Sequence, residues 1–162
     1  MTEWLYHVDE QDNVLGRVSR EQAHAAGILH RTLHVCVFNR EGELYISRRS
    51  PKAERLAGYW DAMAEHPEFG ETQNEAAVRG LREEYGIVVP QSDLVFVDRC
   101  RVNAAGENIL YWLFRTIYNG PINPRGEVET GNFFTLDQIR GLISQGEDFC
   151  PWFLESFKRF RS

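Results

Sequence analysis

The residues best equipped for chemistry lie between Glu65 and Ile87. Glu71 precedes a helical stretch, Arg79 and Glu83 sit four residues apart on it, and Glu84 follows one turn after Gly80. Side chains four apart share a helix face, so Arg79 can pair with Glu83. A hard cation such as Mg²⁺ takes one or two carboxylates and completes its shell with water and phosphate oxygens. Glu71, Glu83 and Glu84 offer that set if the fold makes them converge; a bare Glu-Glu pair is otherwise a solvated helix face. Upstream, Arg48, Arg49, Lys52 and Arg55 concentrate positive charge in an acidic chain. Guanidinium forks suit phosphate oxygens, although a solvated loop has the same composition. Tyr59, Trp60, Tyr111 and Trp112 can stack on a base, line an apolar pocket or pack in the core.

These side chains need a scaffold, and 162 residues with 43% hydrophobic content suit one domain spanning 1–162. A net charge of −6 provides no global positive field, which argues against duplex nucleic acid as a partner. The apolar run around Leu110–Phe114 is far too short to span a bilayer. The N-terminal residues lack the basic start and apolar middle of a signal peptide, and Cys36, Cys100 and Cys150 are odd in number and far apart. The expectation is a cytoplasmic protein with reduced thiols and no membrane partner. Oligomeric state is open, a homodimer included.

Trp4–Val8 and Val14–Val18 read as paired extended segments, followed by a short helix over 19–26 with Ser19 as N-cap and Gln22 completing a capping box. His34–Phe38 and Glu43–Ser47 predict a hairpin around Asn39–Gly42. Thr72 and Glu75 form a second capping box that opens a helix running to Tyr85, with Ala77, Leu81 and Tyr85 as its apolar stripe and Gly86 as its stop. Leu94–Val102 and Ile109–Tyr118 read as strands joined through Asn103–Glu107, and Phe133–Thr135 as a shorter strand. Leu136–Ser144 and Pro151–Phe160 read as closing helices. This interleaving predicts an α/β (α+β) sandwich with a mixed sheet between helices.

The window 65–87 resembles the Nudix box, Gly-x5-Glu-x7-Arg-Glu-U-x-Glu-Glu-x-Gly-U, where U is aliphatic. Glu71, Arg79, Leu81, Glu83, Glu84, Gly86 and Ile87 fall on its positions. The resemblance covers most of the chain and implies a Nudix α/β/α sandwich acting on a small-molecule diphosphate with Mg²⁺ or Mn²⁺. On this likeness Glu84 and Glu83 hold metal with help from Glu71, Arg79 orients the carboxylates, and Arg49, then Lys52, contact phosphate, with Trp60 near the substrate. Two positions depart: Glu65 replaces the opening Gly, and Gly80 replaces the Glu after the motif Arg. In the hydrolases that Glu helps to hold metal and can activate water. Gly80 therefore marks either relaxed catalysis or room for a substrate group.

A narrower resemblance is to the isopentenyl-diphosphate isomerase branch, carried by Gly27–Arg31, Phe38-Asn39, Arg48-Arg49, Gly58–Trp60 and His66-Pro67. The alignment implies a second metal site at His30, His66 and Glu107, with His24 near a fourth ligand position; imidazole with carboxylate suits Mn²⁺ or Zn²⁺. The isomerase's two proton-transfer groups fall on Ala64 and Ile109, and aliphatic side chains cannot move protons. The resulting order of readings is a diphosphate hydrolase, then a diphosphate- or nucleotide-binding module that has lost turnover, with the isomerase third.

Overall fold

The computed structural model describes residues 1–160, running β1 (Trp4–Val8), β2 (Val14–Ser19), α1 (Arg20–Ala26), β3 (His30–Phe38), β4 (Leu44–Arg49), β5 (Trp60–Asp61) and β6 (Met63–Glu65). There follow α2 (Gln73–Gly80), a π turn (Leu81–Tyr85), a 3₁₀ turn (Gln91–Asp93), β7 (Val95–Ala104), β8 (Glu107–Ile117), β9 (Val128–Phe134), α3 (Leu136–Ser144) and α4 (Pro151–Phe157).

β3 is buried at all but Arg31 and Phe38, the pattern of a strand covered on both faces. It runs parallel to β8, in register from His30–Ile109 to Phe38–Ile117, and antiparallel to β6 from Leu33–Glu65 to Val35–Met63. β1 touches it at His7–His30 and pairs with β2. The expected hairpin at Asn39–Gly42 closes with the Asn39 amide on the Glu43 carbonyl at 2.9 Å, but only Phe38–Leu44 pairs across it. Beyond that pair the arms part, because β4 takes β5 and β9 as neighbours and β3 takes β6 and β8.

Helices cover both faces of this mixed sheet. Leu33, Val35, Met63, Ala77, Leu81 and Tyr85 pack on the α2 side. Ile46, Leu113, Ile139, Trp152, Phe153 and Phe157 pack under α3 and α4. A buried polar cluster ties α4 down. Asp61 accepts from the Ala62 amide at 2.8 Å and from Trp152 Nε1 at 2.8 Å, and lies 3.0 Å from His34 Nε2. His34 Nδ1 meets Ser156 Oγ at 2.8 Å. The three cysteines are free and buried, and among the described residues no helix is long and apolar enough to cross a membrane.

Five local readings change. Thr72 and Glu75 form the reciprocal capping box, but α2 ends at Gly80 and the last turn widens to i→i+5 spacing, closed by Gly86 at φ 65°. The wide turn keeps Leu81 and Tyr85 in the core and turns Glu84 toward the sheet. Ser19 caps α1 through the Gln22 amide, without the reciprocal Gln22 side-chain bond. The β7–β8 connection is two residues rather than five, because Ala105 (φ 52°) and Gly106 (φ 78°) both adopt the positive φ of a tight hairpin turn. Glu107 therefore begins a strand, which fixes its direction. Thr135 is the N-cap of α3 rather than the end of β9, and α4 stops at Phe157.

Candidate functional site

The parallel register of β3 and β8 sets His30 opposite Ile109, so Glu107 at the head of β8 lies beside the His30 ring. β6, held antiparallel on β3, delivers His66 just past its end, and α1 supplies His24. One ligand atom from each of His24, His30, His66 and Glu107 lies within 4.8 Å of the others. His24 Nε2 is 3.0 Å and His30 Nε2 3.5 Å from the Glu107 carboxylate. The Ile28 carbonyl, 2.8 Å from His30 Nδ1, can only accept, so Nδ1 carries the proton and the lone pair of the neutral ring sits on Nε2.

This arrangement fits a divalent cation. Nε2 of His24, Nε2 of His30 and Oε2 of Glu107 are buried without hydrogen-bond partners among the described residues, and each such atom costs about 1–3 kcal/mol. Burial, with the His30 ring close by, pushes His66 down to about 3, and burial lowers His24 as well. Both rings are thereby biased toward the neutral form that a metal ligand needs. Burial opposes charge on Glu107, yet the surrounding imidazoles, His30 foremost, outweigh it and hold the carboxyl below its ordinary value.

Arg79 is the hub of the box. It donates from Nε to Glu71 at 2.9 Å and from Nη2 to Glu71 at 3.0 Å and to the His66 carbonyl at 3.0 Å. Its Nη1 lies 3.3 Å from Glu83 and 3.4 Å from Glu65. Glu71 is thus committed to the guanidinium, and Glu83, with a side chain 53% exposed, faces solvent. These two do not converge with Glu84, which lines the central cavity with Asp61 and Glu127 nearby. Loss of water, reinforced by Glu65, Asp61 and Glu127 and opposed by Arg49, raises the Glu84 carboxyl well above its ordinary value. Gly80 leaves no room for a substrate group: a Cβ there would sit 2.9 Å from Met63 Sδ and 3.2 Å from Glu65 Cβ.

The cavity of ≈ 230 Å³ joins the imidazole cluster to Glu84 and is also lined by Arg20, Arg49, Arg55, Glu65 and Trp152. Ala64 and Ile109 form part of its wall. Lys52 stands in the exposed turn after Ser50 and does not reach it. Trp60 is packed between Phe134 and Phe149 under the Arg48 guanidinium, with Nε1 on Glu147, so it serves the core instead. Arg55, read from the sequence only as part of the cationic loop, donates from Nη1 to the Gly106 carbonyl at 2.7 Å and lies 3.3 Å from Glu107. Glu65, noted in the sequence as a departure from the box but not as a site residue, also lines the cavity; the paired departures at 65 and 80 were the signal.

The NUDIX domain family matches residues 28–153, and the chain belongs to the Nudix family. An isopentenyl-diphosphate Delta-isomerase from Serratia proteamaculans is 31% identical over 98% of this chain and 91% of its own length. The uncharacterized Nudix hydrolase lmo0368 from Listeria monocytogenes is also 31% identical, over 94% of this chain and 90% of its own. The crystal structure of DR0079 from Deinococcus radiodurans shares the fold with a TM-score of 0.83 at 20% identity, covering 98% of this chain and all of that one.

Proposed function

We propose that this protein is a metal-dependent hydrolase that cleaves the diphosphate bond of a small nucleotide or organic diphosphate. The observation that carries the reading is the composition of one cavity wall: Glu84 and Arg49 face the same space as the imidazole cluster, while Ala64 and Ile109 present no atom that can move a proton. Glu84 would hold Mg²⁺ or Mn²⁺ at the box, and His24, His30, His66 and Glu107 would hold a second ion. A bound divalent ion supplies charge neutralisation on phosphoryl oxygens and a more acidic water.

The protein's own residues supply position and field. Arg49, with Nε already anchored on the Arg55 carbonyl at 3.0 Å, keeps its terminal nitrogens for substrate phosphate oxygens. Its Nη2 lies 3.8 Å from Glu127, a long contact that a phosphate can replace. Burial and the neighbouring carboxylates Glu65, Asp61 and Glu127 make a charged Glu84 costly without a cation, which suits it to the metal this reading assigns to it. Arg79 fixes the loop that carries His66 to the helix that carries Glu84, so the two metal-holding groups keep their separation. The ≈ 230 Å³ volume is below the roughly 300–1,000 Å³ of sites for drug-sized ligands, which favours a compact diphosphate end.

Gly80 favours a second reading, a diphosphate-binding module without turnover, because the helix lacks one carboxylate. The isomerase named among the relatives supports a third, opposed by Ala64 and Ile109. A panel of nucleoside diphosphate, sugar-nucleotide and prenyl diphosphate compounds with Mg²⁺ or Mn²⁺ discriminates among them. Monophosphate release that Glu84→Gln abolishes supports the hydrolase; binding without release supports the module; a double-bond shift overturns both.

A further inference from the structure

The two departures from the box face each other in space. Gly80 lies on the side of α2 that packs on β6, and the closest atoms to its missing Cβ belong to Met63 and Glu65, the two β6 residues that point toward the helix. Glu65 Cβ at 3.2 Å from that point means that the Glu65 side chain leaves the strand where a residue-80 side chain would leave the helix. A helix with Glu at 80 and an unchanged strand would press two carboxylate stems into one space.

The Glu65 carboxylate is placed for more than filling. It lines the cavity with Glu84, and one of its oxygens lies within 4.8 Å of donor atoms on Glu3 and His66. It therefore stands between the box and the imidazole cluster. Its Oε1 accepts the His66 amide at 2.9 Å and its Oε2 lies 3.4 Å from Arg79 Nη1. A carboxylate has about four lone-pair positions, so these two contacts orient Glu65 and leave acceptor capacity free.

We infer that Glu65 has exchanged roles with Gly80: the strand supplies to the box metal the carboxylate that the helix lacks. This inference rests on the hydrolase reading, in which Glu84 holds that metal.

Mn²⁺ titration followed by electron paramagnetic resonance, with melting temperature recorded for every variant, tests the exchange. Glu84→Gln defines the binding event that belongs to the box. Glu65→Gln, which keeps shape and removes charge, weakens that same event by roughly 10–100-fold, the loss typical of groups that support a bound metal. Gly80→Glu alone melts earlier because of the Met63 and Glu65 contacts, whereas Glu65→Gly with Gly80→Glu recovers both melting temperature and Mn²⁺ affinity. If Glu65→Gln binds Mn²⁺ as the wild type does while Glu84→Gln loses the event, the exchange is wrong and the box reading stands. If Glu84→Gln also binds as the wild type does, the box reading fails and the exchange fails with it.

Discussion

Stripping and reloading metal at the imidazole cluster is the perturbation whose size follows most directly from the structure. Without an ion, three buried atoms, His24 Nε2, His30 Nε2 and Glu107 Oε2, have no partner, a latent cost of roughly 3–9 kcal/mol in total. An ion that bonds the native site alone stabilises it by about 2.7 kcal/mol when free metal is about 100 times Kd. For a chain of this length each kcal/mol moves the melting temperature by about 2–4 °C, so saturation raises it by about 5–11 °C. The assay is thermal unfolding of chelator-treated protein in Mn²⁺ or Zn²⁺, run in a Glu84→Gln background so that the box does not contribute. The increment vanishes in His66→Ala and Glu107→Ala. No increment with either ion, or an equal increment in those variants, refutes the assignment of the cluster as a metal centre.

Three further outcomes are expected. Glu84 has a raised carboxyl, so the unfolded chain releases this proton first. Its contribution to the stability of metal-free protein is present at low pH and is lost as pH rises from about 4.5 toward its higher folded value; Glu84→Gln flattens that fall in pH-dependent melting and melts higher at its top. His66, pushed down to about 3 from 6.5, works in the opposite sense: stability falls by about 1.4 kcal/mol per pH unit as pH drops from 6.5 toward 3, and His66→Leu makes that acid limb shallower. Arg79→Lys, measured by denaturant unfolding and turnover, fails to rescue Arg79→Ala, because an ammonium cannot make the paired bonds to Glu71 and also hold the His66 carbonyl; the expected loss of stability is about 2–4 kcal/mol.

How much of this was legible in the sequence depended on distance along the chain. The Thr72–Glu75 capping box, the buried stripe of Ala77, Leu81 and Tyr85, and the turn at Gly86 are local events, and their residues announced them. The mixed sheet between helices followed from the alternation of elements. The partners of β3 could not be read locally: a hairpin with β4 was the simplest expectation, but burial on both faces gave β3 to β6 and β8 instead. The imidazole cluster was visible only through family likeness, since its members are brought together by the register of β3 on β8. Within the box, motif spacing named Glu71, Glu83 and Glu84 alike; three-dimensional packing separated them by giving the first two to Arg79 and Glu84 to the cavity. Lys52 and Trp60 were read from residue type, which does not encode side-chain direction.

Hydrolysis of a diphosphate bond leaves a mark that can be read by running the substrate panel in heavy-oxygen water with Mg²⁺ and weighing the released monophosphate. A hydrolase places one solvent oxygen in the phosphate product of at least one compound, and Glu84→Gln abolishes that product. Unlabelled phosphate throughout, or a prenyl diphosphate returned intact with its double bond moved, would contradict hydrolysis.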